Sequence, residues 1–134
     1  LTPKQALIAT IAYFLVLLSI IVLADLGIAR IPYHIAKHTT WLDKLGHFVL
    51  LGIASYLLNI AMACRVYQVR GWSFLLGSSI LIVLSSLEEI SQLFRVNRGF
   101  EIWDLIFNCA GILVFGQIAY YQYRRKTQVQ DHKI

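Results

Sequence analysis

Four long stretches of the chain carry no Asp, Glu, Lys or Arg: 20 residues between Lys4 and Asp25, 20 between Lys44 and Arg65, 17 between Arg70 and Glu88, and 19 between Asp104 and Arg124. A helix rises about 1.5 Å per residue, so roughly 20 residues cross about 30 Å of hydrocarbon, and about 17 to 25 is the usual range. All four runs meet that length. Barrel strands are a poor alternative, because they are about 10 residues of alternating polarity and these runs are apolar on every face. The predicted architecture is therefore all-α: a four-transmembrane-helix bundle in one domain over residues 1–134, with spans at about 5–24, 45–64, 71–91 and 103–123.

Composition agrees with that reading. The 134 residues are 58% hydrophobic and 14% charged, with mean hydropathy +0.66, whereas soluble domains are about 25% charged. The net charge of +5 comes from Lys and Arg in the gaps between apolar runs and in the tail. It reads as membrane topology and not as a nucleic-acid surface. The chain opens on Leu1, which suggests a short leader missing or processed. Its first apolar run exceeds the roughly 7 to 15 residues of a signal-peptide core, so it is read as a retained span. Cys64 and Cys109 fall near opposite membrane faces, too far apart to bridge, and two free thiols are expected.

The connections run from Asp25 to Asp43, through a middle turn around Arg65 to Gly71, and through a third around Arg95 to Glu101. In the first of them Pro32, Tyr33, Ile35 and Trp41 suit an interfacial loop or short helix. Thr40 followed by Asp43 resembles a capping box opening the second span. An even number of spans puts both termini and the middle connection on one side. That side carries seven basic residues (Lys4, Arg65, Arg70, Arg124, Arg125, Lys126, Lys133) and the other five (Arg30, Lys37, Lys44, Arg95, Arg98). The positive-inside rule then favours cytoplasmic termini, with Trp72, Tyr120, Tyr121 and Tyr123 as the inner aromatic belt and Trp41 and Trp103 as the outer one.

The start of span two, the end of span three and the start of span four share the outer face, and the unusual polar residues gather there: Asp43, Lys44 and His47; Glu88, Glu89 and Gln92; Arg98, Asp104 and Asn108. Asp43 to His47, Glu89 to Gln92 and Asp104 to Asn108 are three or four apart, so each set shares one helical stripe. Glu88 and Glu89 sit at the membrane boundary. His47 and Asn108 lie about 5 Å deeper, where lipid offers no partner, and the carboxylates one turn away are their natural ones.

These residues also carry a resemblance. Asp43 to Phe48 reads DKLGHF, Glu89 to Gln92 reads EISQ, and Arg98, Asp104, Asn108 and Gly111 follow. In order and spacing this is similar to the VanZ-like family of bacterial four-helix membrane proteins across residues 43–116. Two departures stand out: Val96-Asn97 where the family often has Pro and Gly, and Leu51 where an aromatic is common. The resemblance implies a bacterial inner-membrane location and a link to the cell envelope, since the family's namesake is associated with resistance to teicoplanin. It supplies no established reaction. Carried over, the candidate site residues are Asp43, Lys44, His47, Glu89, Gln92, Arg98, Asp104 and Asn108.

Several roles suit such a cluster. His47 could act as a general acid or base beside Glu89 or Asp104, with Lys44 and Arg98 holding a phosphate or carboxylate of a lipid-linked substrate. Against this, Asp43, Glu88, Glu89 and Asp104 outnumber Lys44 and Arg98, so an empty site repels an anion unless His47 is charged or a cation is bound. No catalytic residue is therefore assigned. The plainer alternative is that these groups pair with one another as register pins between helices. Metal binding lacks support, since neither HExxH nor paired cysteines occur and His34 with His38 lacks a third ligand. No metal or cofactor is expected. Proton or ion conduction is weakly supported, because only Asn59 and serines continue a polar path inward. The expectation is a protein that binds or processes a cell-envelope component, lipid-linked or glycopeptide-related, at the outer face. Its alternative is a non-catalytic accessory subunit of a membrane complex. Membrane lipids are the expected partners, with other membrane subunits under the second reading and nucleic acid under neither.

Overall fold

A computed structural model describes residues 1–25, 40–92 and 102–131, with the backbone alone at Ile21, Ala24, Asp25, Thr40, Leu42, Asp43, Gln92, Gln130 and Asp131. The uncharged runs fold mainly as helices, which satisfy their backbone polar groups within one segment. In chain order the elements are α1 (Pro3–Asp25), α2 (Thr40–Ala61), β1 (Val66–Val69), β2 (Trp72–Leu75), α3 (Leu76–Gln92) and α4 (Ile102–Asp131). Among the described residues three helices, α1, α2 and α4, are long and apolar enough to cross a membrane. The interfacial loop or short helix expected before the second span, and the connection from Arg95 to Glu101, lie outside the described residues.

α1 begins on a reciprocal cap. The Gln5 backbone N–H donates to Thr2 Oγ1 at 3.3 Å while the Thr2 N–H donates to Gln5 Oε1 at 3.0 Å, and Pro3 occupies the first helical position, where no N–H is needed. α2 ends in a Schellman turn. The Cys64 N–H reaches the Asn59 carbonyl at 2.7 Å and the Ala63 N–H reaches that of Ile60 at 3.0 Å, with Ala63 and Cys64 both at positive φ.

The middle connection differs from the simple turn that the sequence predicts. Arg70 and Gly71 both adopt positive φ, 51° and 84°, the backbone of a two-residue hairpin turn whose twist matches its strands. Around it Val66 pairs with Leu75, Tyr67 with Phe74, Gln68 with Ser73 and Val69 with Trp72 in antiparallel register. Residues 72–75, expected as the opening of the third span, are thus a strand, and α3 is 17 residues long. The β-branched and aromatic side chains of the segment favour the pleat once the turn fixes the register. α4 in turn extends past the expected end at 123, to Asp131.

α2 is the hub, packing against α1, α3 and α4, with its largest contact on α4. α1 lies on α2: the Tyr13 hydroxyl donates to the Leu50 carbonyl at 2.9 Å, and Leu17 joins Ala54, Leu81 and Ile112 in one buried cluster. A second cluster holds Ala6, Ile60, Cys64, Leu75 and Ala119. It gathers the start of α1, the end of α2, the base of the hairpin and the later half of α4 at one end of the bundle. α2 and α4 run parallel, and glycine lets them close up. A side chain at Gly111 would collide with the Phe48 carbonyl, and one at Gly52 would meet the Phe115 ring at 2.6 Å. Most large apolar side chains outside these clusters are exposed, as helix surfaces in lipid must be.

Candidate functional site

At the end of the bundle away from the hairpin, the parallel contact of α2 and α4 forms two polar rungs. Lys44 Nζ donates to Asp104 Oδ1 at 3.0 Å, and each side chain is only 14% exposed. One turn deeper, His47 Nδ1 lies 3.2 Å from Asn108 Oδ1. An amide oxygen can only accept, so Nδ1 carries the proton in this arrangement. His47 Nε2 then stands 3.9 Å from Asp104 Oδ2, too far for a hydrogen bond. The His47 side chain is 31% exposed. Trp41 and Phe107 meet edge to face at 6.5 Å near this end of α2 and α4.

The reason these residues meet lies in the steps between them. Lys44 and His47 are three apart on α2, and Asp104 and Asn108 four apart on α4, so each pair forms one helix-surface row. The Gly111 contact with the Phe48 backbone, directly beneath, sets the interaxial distance that brings the two rows within bonding reach. Small residues at a helix interface do this in membranes generally.

α3 contributes Glu89, which is 1% exposed. It lies on the inward stripe of Ser78, Leu81 and Ser85. Ser78 lies beside Gly116, and Leu81 packs in the cluster of Ile112, so α3 runs antiparallel to α4. From Ser78, Glu89 is about 16 Å farther along α3, and from Gly116, Asp104 is about 18 Å back along α4. The register therefore carries Glu89 to the depth of Asp104. A carboxyl group so enclosed needs polar partners. Glu88, the next residue, is half-buried.

Of the eight candidate residues, Lys44, His47, Asp104 and Asn108 are joined by contacts, and Glu89 faces the bundle interior. The side chains of Asp43 and Gln92, and the whole of Arg98, lie outside the described residues. Among the described residues no group of three His, Cys, Asp or Glu side chains is arranged to hold a metal ion. Cys64 and Cys109 are both free thiols, as expected from their placement.

A second polar node lies in mid-bundle. Ser55 Oγ donates to the Ile112 carbonyl at 2.8 Å, and Asn59 Nδ2 donates to Ser78 Oγ at 2.9 Å and to the Ser55 carbonyl at 2.9 Å. Asn59 Oδ1 lies against Gly77, where a Cβ would approach it to 2.7 Å. Asn59 thereby ties α2 to the neighbouring α3. The signal in the sequence for Ser55 is the four-residue step from His47 through Leu51 and Ser55 to Asn59, which places it on the same stripe.

Among the described residues, four helices, three of them long and apolar enough to cross a membrane, form a helical bundle with a polar row at one end, compatible with a membrane protein. No family model, curated protein or solved structure matches the chain.

Proposed function

We propose that the chain is a VanZ-like protein of the bacterial cytoplasmic membrane that binds or processes a lipid-linked or glycopeptide-related cell-envelope component at its outer face. The observation carrying this is the Lys44–Asp104 and His47–Asn108 ladder, two polar rungs packed between α2 and α4 at one end of the bundle. Ionisable side chains are expensive inside membrane helices and are kept where they act. With Nδ1 donating to Asn108, His47 offers Nε2 as an acceptor to a ligand hydroxyl. Lys44, released from Asp104, offers an ammonium to a phosphate, and Glu89 supplies a third helix's carboxyl group. Seven basic residues on the hairpin side against five on the other support cytoplasmic termini, with the ladder facing outward.

The second reading is a non-catalytic accessory subunit, favoured by the closeness of the Lys44–Asp104 pair, which leaves each charge already neutralised. One experiment separates the two. His47→Ala, Glu89→Ala and Asp104→Ala are expressed in a bacterial host, their folding is checked by thermal denaturation in detergent, and teicoplanin susceptibility is measured. Variants that fold like the parent but lose its effect on susceptibility support the binding site. Variants that lose only stability, in a protein that co-purifies at fixed ratio with other membrane subunits, support the accessory reading.

A further inference from the structure

The hairpin exposes a surface for which a packed bundle has no use. Its pairing places Tyr67, Val69, Trp72 and Phe74 on one face, since directly opposed residues project to the same side. All four are exposed, Trp72 to 74%. The opposite face is divided: Leu75 is buried against the bundle, its partner Val66 is exposed at the base, and Gln68 and Ser73 are exposed polar residues nearer the tip. Arg70 stands at the turn and Arg65 at the base, both exposed.

Two contacts fix where the aromatic face looks. Tyr67 stacks on Phe74 at 5.8 Å, and its hydroxyl meets Ser79 Oγ at 2.9 Å, on the first turn of α3. Below Ser79, the outward stripe of α3 consists of Ile80, Val83, Leu84 and Leu87, all exposed. The face is therefore continuous with that helix's lipid-facing surface. α3 rises only about 26 Å against roughly 30 Å of hydrocarbon, and the hairpin starts where the helix falls short. Trp and Tyr prefer the headgroup level, and arginines beside them suit anionic headgroups.

We propose that the Tyr67–Val69–Trp72–Phe74 face beds into the headgroup boundary of an anionic membrane leaflet, with Arg70 and Arg65 on lipid phosphates, as an interfacial anchor that sets the depth of α3. The proposal needs only the membrane class of the bundle and is independent of the outer-face ligand. Non-helical backbone is tolerated at that level because water still reaches its unpaired edges.

The test follows Trp72 alone. Trp41→Phe with Trp103→Phe leaves it the sole tryptophan, at the cost of two exposed side chains. The protein is placed in nanodiscs of phosphatidylcholine and phosphatidylglycerol, where iodide reaches both faces. Expected are blue-shifted emission and quenching several-fold stronger by lipids brominated near the headgroup than by iodide. Arg70→Glu should shift that ratio toward iodide in the anionic discs and leave it unchanged in pure phosphatidylcholine. Ser79→Ala, which frees the Tyr67 hydroxyl, should shift it in both. Emission typical of water, with iodide the stronger quencher, overturns the proposal. So does shielding from both quenchers, which means that a protein surface or a second copy covers the face.

Discussion

Lys44 and Asp104 illustrate how much a single pair can reveal. At 14% exposure neither charge is well hydrated, yet the pair is not fully dry, so breaking it is expected to cost about 2 kcal/mol, below the ~3–5 kcal/mol of a wholly buried pair. Lys44→Met and Asp104→Asn should each lower stability by that amount in detergent denaturation. Combined, they should lose clearly less than the sum, and strict additivity would show that the two residues do not interact. Ala63 offers the opposite effect. It holds φ 53° in the Schellman turn without being glycine, a conformation that costs an L-residue about 1–2 kcal/mol. Ala63→Gly should therefore stabilise the protein by about 1 kcal/mol, read as a raised melting temperature.

Between elements, the α2–α4 contact governs the site. Gly111 has no room for a methyl group because the Phe48 carbonyl occupies it, and neither backbone can yield without moving a helix. Gly111→Ala should cost about 1–3 kcal/mol as overpacking does. It should also loosen the rungs one and two turns away, so that Lys44–Asp104 coupling measured in this background falls toward zero. A Gly111→Ala protein with unchanged coupling would show that the ladder does not depend on this approach. The hairpin was the element least legible in the sequence. Arg70-Gly71 is a weak turn signal beside Asn-Gly, and Trp72 to Leu75 reads equally as the start of an apolar helix. Only the left-handed backbone at Arg70, which the strand pairing stabilises, decides between them.

For the molecule as a whole, the buried cluster of Ala6, Cys64, Leu75 and Ala119 joins the chain's start, the hairpin and the late part of α4 at one end. In a membrane these must share one side. With Cys64 and Cys109 replaced by Ala, single cysteines at Gln68 and Gln128 should react with a membrane-impermeant maleimide from the same face of intact cells or inverted vesicles. A cysteine at Trp41 should react from the other. Labelling of Gln68→Cys and Trp41→Cys from one side would contradict the bundle's direction.

The four helices could be read from the sequence because an uncharged run of 17 to 20 residues has few alternatives: hydrocarbon forces its backbone to bond within itself. The stripes of the site could be read as well, since helical steps of three and four are fixed by geometry. What needed tertiary structure was pairing. Spacing offered His47 either Glu89 or Asp104, and the close approach at Gly111 gave it Asn108, with Lys44 on Asp104. Likewise, nothing local tells Trp72 to Leu75 to leave the helical pattern. A turn of two residues gains its hairpin only when Leu75 has a bundle to be buried in, and that burial is decided by the whole chain.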